Sequence, residues 1–300
     1  DMRGYIKPEH KDAGDFVDIN RDTGEVILKA FPKSYPQSYY AMVKGTNEDG
    51  SAEQVLIIVA KEEMPTKATA LDMFTQKTVV NGVPVIATAK VSEDKFNYAA
   101  NILKALLEKD KKGSKQIINA MKANDAMMSL FYDFEERNTA IGFYMFGFNS
   151  QDLQDEEIIP DYTKNGGPLN LRRDASVEEI THLIQYGGIN QAYPKWLDRL
   201  NKQTYRAIEN KYYKPWDGLP EDSFADEYFA IGVAIYYGMH QNEQYIGRRL
   251  LEGQQPSYRL THDNNIALTK ANLKKYDAEL YKLVEEVFPK PEVFRKIMGW

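Results

Sequence analysis

Asp174-Ala-Ser-Val-Glu-Glu-Ile-Thr-His-Leu-Ile184 is the stretch on which the reading of this chain turns. Val177, Ile180, Leu183 and Ile184 recur at helical spacing and would share one face of a helix. Glu178 and His182, four residues apart, would project side by side from the opposite face, with Glu179 lying between them and turned aside. A carboxylate and an imidazole so placed are two ligand types that one metal ion accepts. The same residues also have a plainer reading. Ser176 and Glu179 have capping-box spacing, and Asp174 is an alternative cap that would leave Glu179 free. The helix dipole favours Glu178 near the N-terminus, and His182 on a polar face fits an ordinary hydrogen-bonded histidine.

A third ligand has to come from elsewhere. Phe224-Ala-Asp-Glu-Tyr-Phe-Ala-Ile-Gly-Val-Ala-Ile-Tyr-Tyr-Gly238 reads as an apolar helix with Glu227 conspicuous in its first turn. Phe224, Tyr228, Ile231 and Ile235 would be buried, while Gly232 and the alanines would let another helix approach closely. Caps at Asp222 or Ser223, together with the dipole, account for Glu227 as well as a metal does.

The helix at 174–184 is one substitution from the His-Glu-x-x-His helix of metallopeptidases, with Glu178 in place of the first histidine. The order Val177-Glu-Glu-Ile-Thr-His-Leu-Ile184, a helical segment, then Ala225-Asp-Glu-Tyr-Phe-Ala230 resembles the catalytic domain of anthrax-lethal-factor-like metallopeptidases. Lys270-Ala-Asn-Leu-Lys-Lys-Tyr276 is similar to that domain's terminal helix, so the likeness spans Arg173 to Pro289. By Val80-Asn-Gly-Val-Pro-Val85 followed by Ala99-Ala-Asn-Ile-Leu103, the N-terminal half is similar, more loosely, to exported bacterial proteins of unknown role. The resemblance implies a zincin-like fold, with His182 and Glu227 as metal ligands and Glu179 as general base. Glu178 would occupy the missing histidine's place. The family also sets an assisting tyrosine shortly before the Glu-bearing helix. Here Gly218-Leu-Pro-Glu-Asp222 holds none, which leaves Tyr212, Tyr213 or Tyr228.

Chemistry bounds what such a site can do. Zinc accepts carboxylate oxygen at a bond length close to that of imidazole nitrogen. Two carboxylates would nevertheless cancel the charge of a divalent ion, lower the pKa of bound water less, and tilt selection towards Mn, Ca or Mg.

Around these helices the sequence is punctuated clearly. Residues 1–50 are rich in turn formers and read as an irregular arm with one or two strands, such as Val26-Ile27-Leu28. Val55 to Ala60 reads as a buried strand. Val79-Val80 and Val83 to Ile86 flank Asn81-Gly82, a hairpin signal. Helices are expected at 92–108, with Ser92 as N-cap and Phe96, Ala99, Ala100, Leu103 and Leu106 inward, and at 114–124. Met127 to Phe134 and Ala140 to Phe148 read as a second hairpin around Glu136-Arg-Asn-Thr139. A long loop comes next, with a domain boundary or a functional loop near 150–170. Further helices are expected at 193–210, 242–252, 267–287 and 291–298, and Gly187-Gly188 reads as the end of the first. The lysine-rich turn Glu108 to Gly113 retains too few acids for a calcium loop.

The fold class expected is α+β and zincin-like, a mixed α/β N-terminal half followed by a mainly helical C-terminal half. It divides into an arm (1–50), an α/β subdomain (51–165) and a helical subdomain (166–300), the last two forming two domains or one. With 300 residues, 43% hydrophobic and 27% charged, the chain can bury a substantial core. A net charge of −6 argues against nucleic acid as a partner, and no apolar run is long enough for a membrane span. There is no cysteine, so neither disulfides nor thiolate ligands arise. The chain begins at Asp1, which fits a cleaved signal peptide and a trimmed chain equally, and a secreted location is expected. Twenty tyrosines suit a binding surface or wet-edged cores. His10, His240 and His262 stand alone, and the pairs Arg172-Arg173 and Arg248-Arg249 read as solvated faces or carboxylate-binding groups.

Two functions fit these residues. The first is a metal-dependent peptidase acting on a peptide or protein substrate: Glu178, His182 and Glu227 hold a divalent metal (zinc by resemblance) and Glu179 moves the proton. The second is a catalytically inactive, zincin-like extracellular binding or structural protein.

Overall fold

The hairpin at Asn81-Gly82 forms as its residues dictate. Val80 faces Val83 across it, and both central residues take the left-handed conformation of a type I′ turn, Asn81 at φ +55° and Gly82 at φ +91°. The computed structural model describes residues 17–19, 26–28, 38–47, 50–59, 69–108, 113–140, 147–160, 174–216, 218–239 and 268–300. His10, His240, His262, both arginine pairs, most of the lysine-rich turn and the helix expected at 242–252 lie outside them.

The chain divides into two units. The smaller comprises residues 1–70 and 138–146. Its described strands pair antiparallel in sequence order, β1 (Val17–Ile19) with β2 (Val26–Leu28) and β3 (Ser38–Asn47) with β4 (Gly50–Val59). Strands are expected within residues 1–50, and β1, β2 and β3 are there, with Asn47 of β3 opposite Gly50 of β4.

The larger unit, Leu71–Arg137 and Gly147–Trp300, is mixed α/β. Its four-stranded sheet has the order β5 (Phe74–Val80), β6 (Val83–Thr88), β7 (Met127–Phe131), β8 (Ser150–Gln154). Strands β5 and β6 form the hairpin, after which the chain crosses over through α1 (Glu93–Leu106) and α2 (Ser114–Ala123). It returns as β7, parallel to β6. A crossover is needed because parallel neighbours cannot be joined by a tight turn. In α1 the Ser92 hydroxyl accepts from the Lys95 N–H, Glu93 and Asp94 oppose the dipole, and the expected apolar face is buried.

After β7 the chain departs from the expected second hairpin. Glu136-Arg-Asn-Thr139 belongs to α3 (Phe134–Thr139), because Asp133 accepts from the Glu136 N–H at 2.7 Å and starts a helical turn. Residues 141–146, the heart of the second aromatic run, lie outside the described residues. Besides β6, β7 pairs with β8 (Ser150–Gln154), parallel to it and inside the stretch read as loop.

From 174 onward the described chain is almost wholly helical: α4 (Ser176–Ile184), α5 (Pro194–Glu209), α6 (Phe224–Tyr237), α7 (Lys270–Tyr276), α8 (Ala278–Val287) and α9 (Pro291–Met298). Two boundaries differ from expectation. Gly187-Gly188 does not end the first helix, which runs on through a π-helical turn, Gln185–Ile189, to Ala192. The glycines are there for contact. A Cβ on Gly187 would lie 2.7 Å from the Ala126 methyl, and one on Gly188 would lie 2.7 Å from Ile117 Cγ2. The helix expected over 267–287 breaks at Asp277, whose carboxylate accepts from the Leu280 N–H at the start of α8 and from the Gln203 amide and Tyr228 hydroxyl.

A continuous apolar core runs from the sheet to the terminal helices. Trp196 of α5 meets Phe229 of α6 edge-on at 4.8 Å, and its indole N–H donates to the Leu283 carbonyl. Gly232 lets α8 approach α6, and Gly238 ends α6 at φ +73°. Burying Phe229 alone is worth about 1.5–3 kcal/mol. Held between β8 on one side and α6 on the other, α4 is fixed in place.

Candidate metal centre

The N-terminus of α4 decides what Glu179 is free to do. Asp174 serves that end of the helix: its Oδ1 accepts from the Ser176 N–H at 3.0 Å, and its Oδ2 accepts from the Tyr98 hydroxyl at 2.6 Å. The capping box does not form, and the Ser176 hydroxyl is buried with no hydrogen-bond partner among the described residues. Glu179 therefore turns to β8, where it accepts from the Gln151 amide. The face that looks polar in the sequence is thus an interior one.

Burial pushes the Glu179 carboxyl up to about 8; the Gln151 hydrogen bond opposes the shift, while the charges of Asp152, Glu157 and Glu227 add to it. Burial likewise raises Glu157. Asp152 is held by Arg137 in an ion pair at 2.5 Å.

One turn further along α4, His182 is buried at 6% exposure. Glu227 reaches it from the first turn of α6, with Oε1 3.6 Å from His182 Nε2. Glu178, His182 and Glu227 each offer a ligand atom within 4.8 Å of the other two, and the three could hold a metal ion. Ligand atoms around a tetrahedral zinc lie roughly 3.3–3.5 Å apart. The His182–Glu227 pair is near that spacing already. A cation there would also lower the Glu179 pKa, because its charge favours the carboxylate.

Four residues that sequence reasoning missed complete the surroundings. Gln151 is one. The others meet at Asp226, which is 5% exposed and accepts from the Gln185 amide at 2.5 Å and from the Tyr186 hydroxyl. Burial raises Asp226, and these two hydrogen bonds pull it back. Tyr186 is raised by burial and then by its bond to Asp226. An acid beside Glu227 in an apolar helix was the one available signal; the pairing of Gln185 and Tyr186 with it depends on the π-helical turn.

Of the three candidate tyrosines, Tyr228 donates its hydroxyl to Asp277, and Tyr212 is half-buried. Tyr213 is 2% exposed and its hydroxyl has no hydrogen-bond partner among the described residues. Its ionisation is suppressed first by burial and then by the charges of Glu227 and Asp226.

Comparison with family models, with curated proteins and with solved structures returned no match for this chain. No helix among the described residues is long and apolar enough to cross a membrane.

Proposed function

We propose that this chain is a zincin-like metallopeptidase that hydrolyses peptide bonds in a secreted setting. The observation that carries the reading is the convergence of Glu178, His182 and Glu227, from helices far apart in sequence, beside a buried Glu179. The likeness to lethal-factor-like metallopeptidases, read from the order of these motifs, supports the same assignment. The donor set of one imidazole and two carboxylates fits a divalent cation, with zinc as the first candidate and manganese next because oxygen ligands predominate. Bound there, the cation supplies a Lewis acid and lowers the pKa of water.

The chain's own groups supply the rest. Glu179 takes a proton from the attacking water and returns it to the leaving amine; burial raises its pKa and a bound cation would lower it, and these opposed effects would tune it for the two transfers. Gln151 fixes the orientation of that carboxylate. The Tyr213 hydroxyl, which has no hydrogen-bond partner among the described residues, would be the donor to a developing oxyanion.

A second reading is an inactive binding or structural protein on the same scaffold. The 3.6 Å approach of His182 to Glu227 favours it, since an ion pair there could fill the site in place of a metal. Metal analysis of the purified protein separates the two. The peptidase reading expects one stoichiometric divalent ion, lost in Glu178→Ala and His182→Ala, and metal-dependent cleavage of a peptide library that Glu179→Gln abolishes. Wild-type protein that retains no ion and cleaves nothing after incubation with zinc or manganese overturns it.

A further inference from the structure

In this ligand set the two distances to Glu227 are not fixed by a single element. Glu178 and His182 ride on the same helix, so their spacing is set by helix geometry. Glu227 comes from α6, so the gap it must span depends on how α4 and α6 are held together. Asp226, the residue before Glu227, carries the connection. Its two carboxylate oxygens are taken by successive residues of the π-helical turn, Oδ1 by the Gln185 amide and Oδ2 by the Tyr186 hydroxyl. Tyr186 lies one turn beyond His182, and their rings are 6.5 Å apart. The clamp therefore closes immediately next to the ligands on both helices.

Two features mark it as more than a packing contact. Asp226 and Gln185 are polar side chains buried at a helix crossing where apolar ones would pack at lower cost. The Gln185 Oε1 is also buried with no hydrogen-bond partner among the described residues, which costs about 1–3 kcal/mol. The amide gives up one partner while its nitrogen reaches Asp226.

We propose that Asp226, Gln185 and Tyr186 form a positioning clamp that sets the distance between Glu227 and the α4 ligands, and through it the site's preference for a small cation over a large one. The proposal rests on the metal-centre reading above. Zinc needs ligands at about 2.0–2.2 Å, whereas calcium accepts about 2.3–2.6 Å and irregular geometry. A rigid, narrow gap favours the first, and a loosened gap gives up that advantage. None of the three residues is a ligand or touches the reacting atoms.

The test uses the full chain, stripped with chelator and titrated separately with zinc and calcium. It compares wild type, Tyr186→Phe and Asp226→Asn, with thermal unfolding of the metal-free proteins measured alongside. Tyr186 is 46% exposed, so its variant keeps the fold even if Asp226→Asn does not. In Tyr186→Phe zinc affinity is expected to fall about 10- to 100-fold, the usual cost of losing a group that orients ligands, while calcium affinity falls much less. A merely structural contact would lower the unfolding temperature and leave the zinc-to-calcium ratio unchanged, and an unchanged ratio in both variants overturns the clamp. Wild type that binds neither ion overturns the metal centre and the clamp together. Binding by wild type that Glu178→Ala abolishes, with no change in ratio in the clamp variants, sinks the clamp alone.

Discussion

Glu179 is a carboxyl group that folding removes from water, and its titration becomes a stability term. In the unfolded chain it ionises near 4.3, and in the metal-free fold near 8. Below the first value both states hold the proton and there is no penalty. Between the two, the unfolded chain releases its proton while the folded one keeps it, so stability is lost as pH rises, by at most about 1.4 kcal/mol per pH unit. Glu179→Gln removes the titration and can still accept from Gln151. With chelator present, the variant's unfolding temperature should match wild type near pH 4.5 and exceed it increasingly up to pH 8, and a constant difference would contradict the assignment. Tyr213 offers a second test with two readouts of opposite sign. Its hydroxyl makes no hydrogen bond among the described residues, so Tyr213→Phe should leave stability unchanged or raised. If that hydroxyl donates to the oxyanion, peptidase kcat should drop about 100- to 1,000-fold in the same variant.

Elements whose ends are set locally were legible in the residues, and those set by distant partners were not. Ser92 caps α1, Asn81-Gly82 turns the hairpin, and Gly238 ends α6, each by a preference of the residue itself. By contrast, Ser150 to Gln154 has only Leu153 fully buried, so β8 shows no alternation to read; its parallel pairing with β7 exists only in three dimensions. Gly187-Gly188 misleads for a related reason, since a glycine pair in sequence signals a cap equally well as a close approach. The site divides in the same way. Glu178, Glu179, His182 and Glu227 stand out by spacing and by contrast with apolar neighbours, whereas Gln151, Gln185, Tyr186 and Asp226 matter only once helices and sheet meet. Gly188→Ala probes the close approach. Alanine gains roughly 1 kcal/mol in helix propensity, but its Cβ would lie 2.7 Å from Ile117 Cγ2 and 3.0 Å from the Ile117 carbonyl oxygen. Backbone cannot yield as a side chain can, so a net loss of about 1–3 kcal/mol is expected. It would be read as a lower denaturant midpoint at unchanged slope, and a rise in midpoint would show that α2 and the π-helical turn are not in close contact.

At the scale of the whole chain, the candidate ligands all belong to the larger unit, and both helices that carry them are anchored in its core. A cation bound by Glu178, His182 and Glu227 ties α4 to α6 and binds only the folded state, so its affinity adds to the stability of that unit. At a free concentration about 100 times the dissociation constant the gain is about 2.7 kcal/mol, and for a unit of this size it raises the unfolding temperature by about 5–10 °C. The effect should be spatially restricted. Hydrogen exchange with and without zinc or manganese is expected to slow most in peptides covering 174–192 and 224–239, the segments that hold the ligands and the clamp. Peptides from the β3–β4 hairpin of the smaller unit should exchange at an unchanged rate. The acid-lined side of α4 adds a second signature: the cation lowers the Glu179 pKa, so the pH-dependent loss of stability above about pH 4.5 should flatten in its presence. Uniform protection of both units, or protection confined to neither helix, would show that the ion binds elsewhere on this acidic chain and that Glu178, His182 and Glu227 meet without holding it.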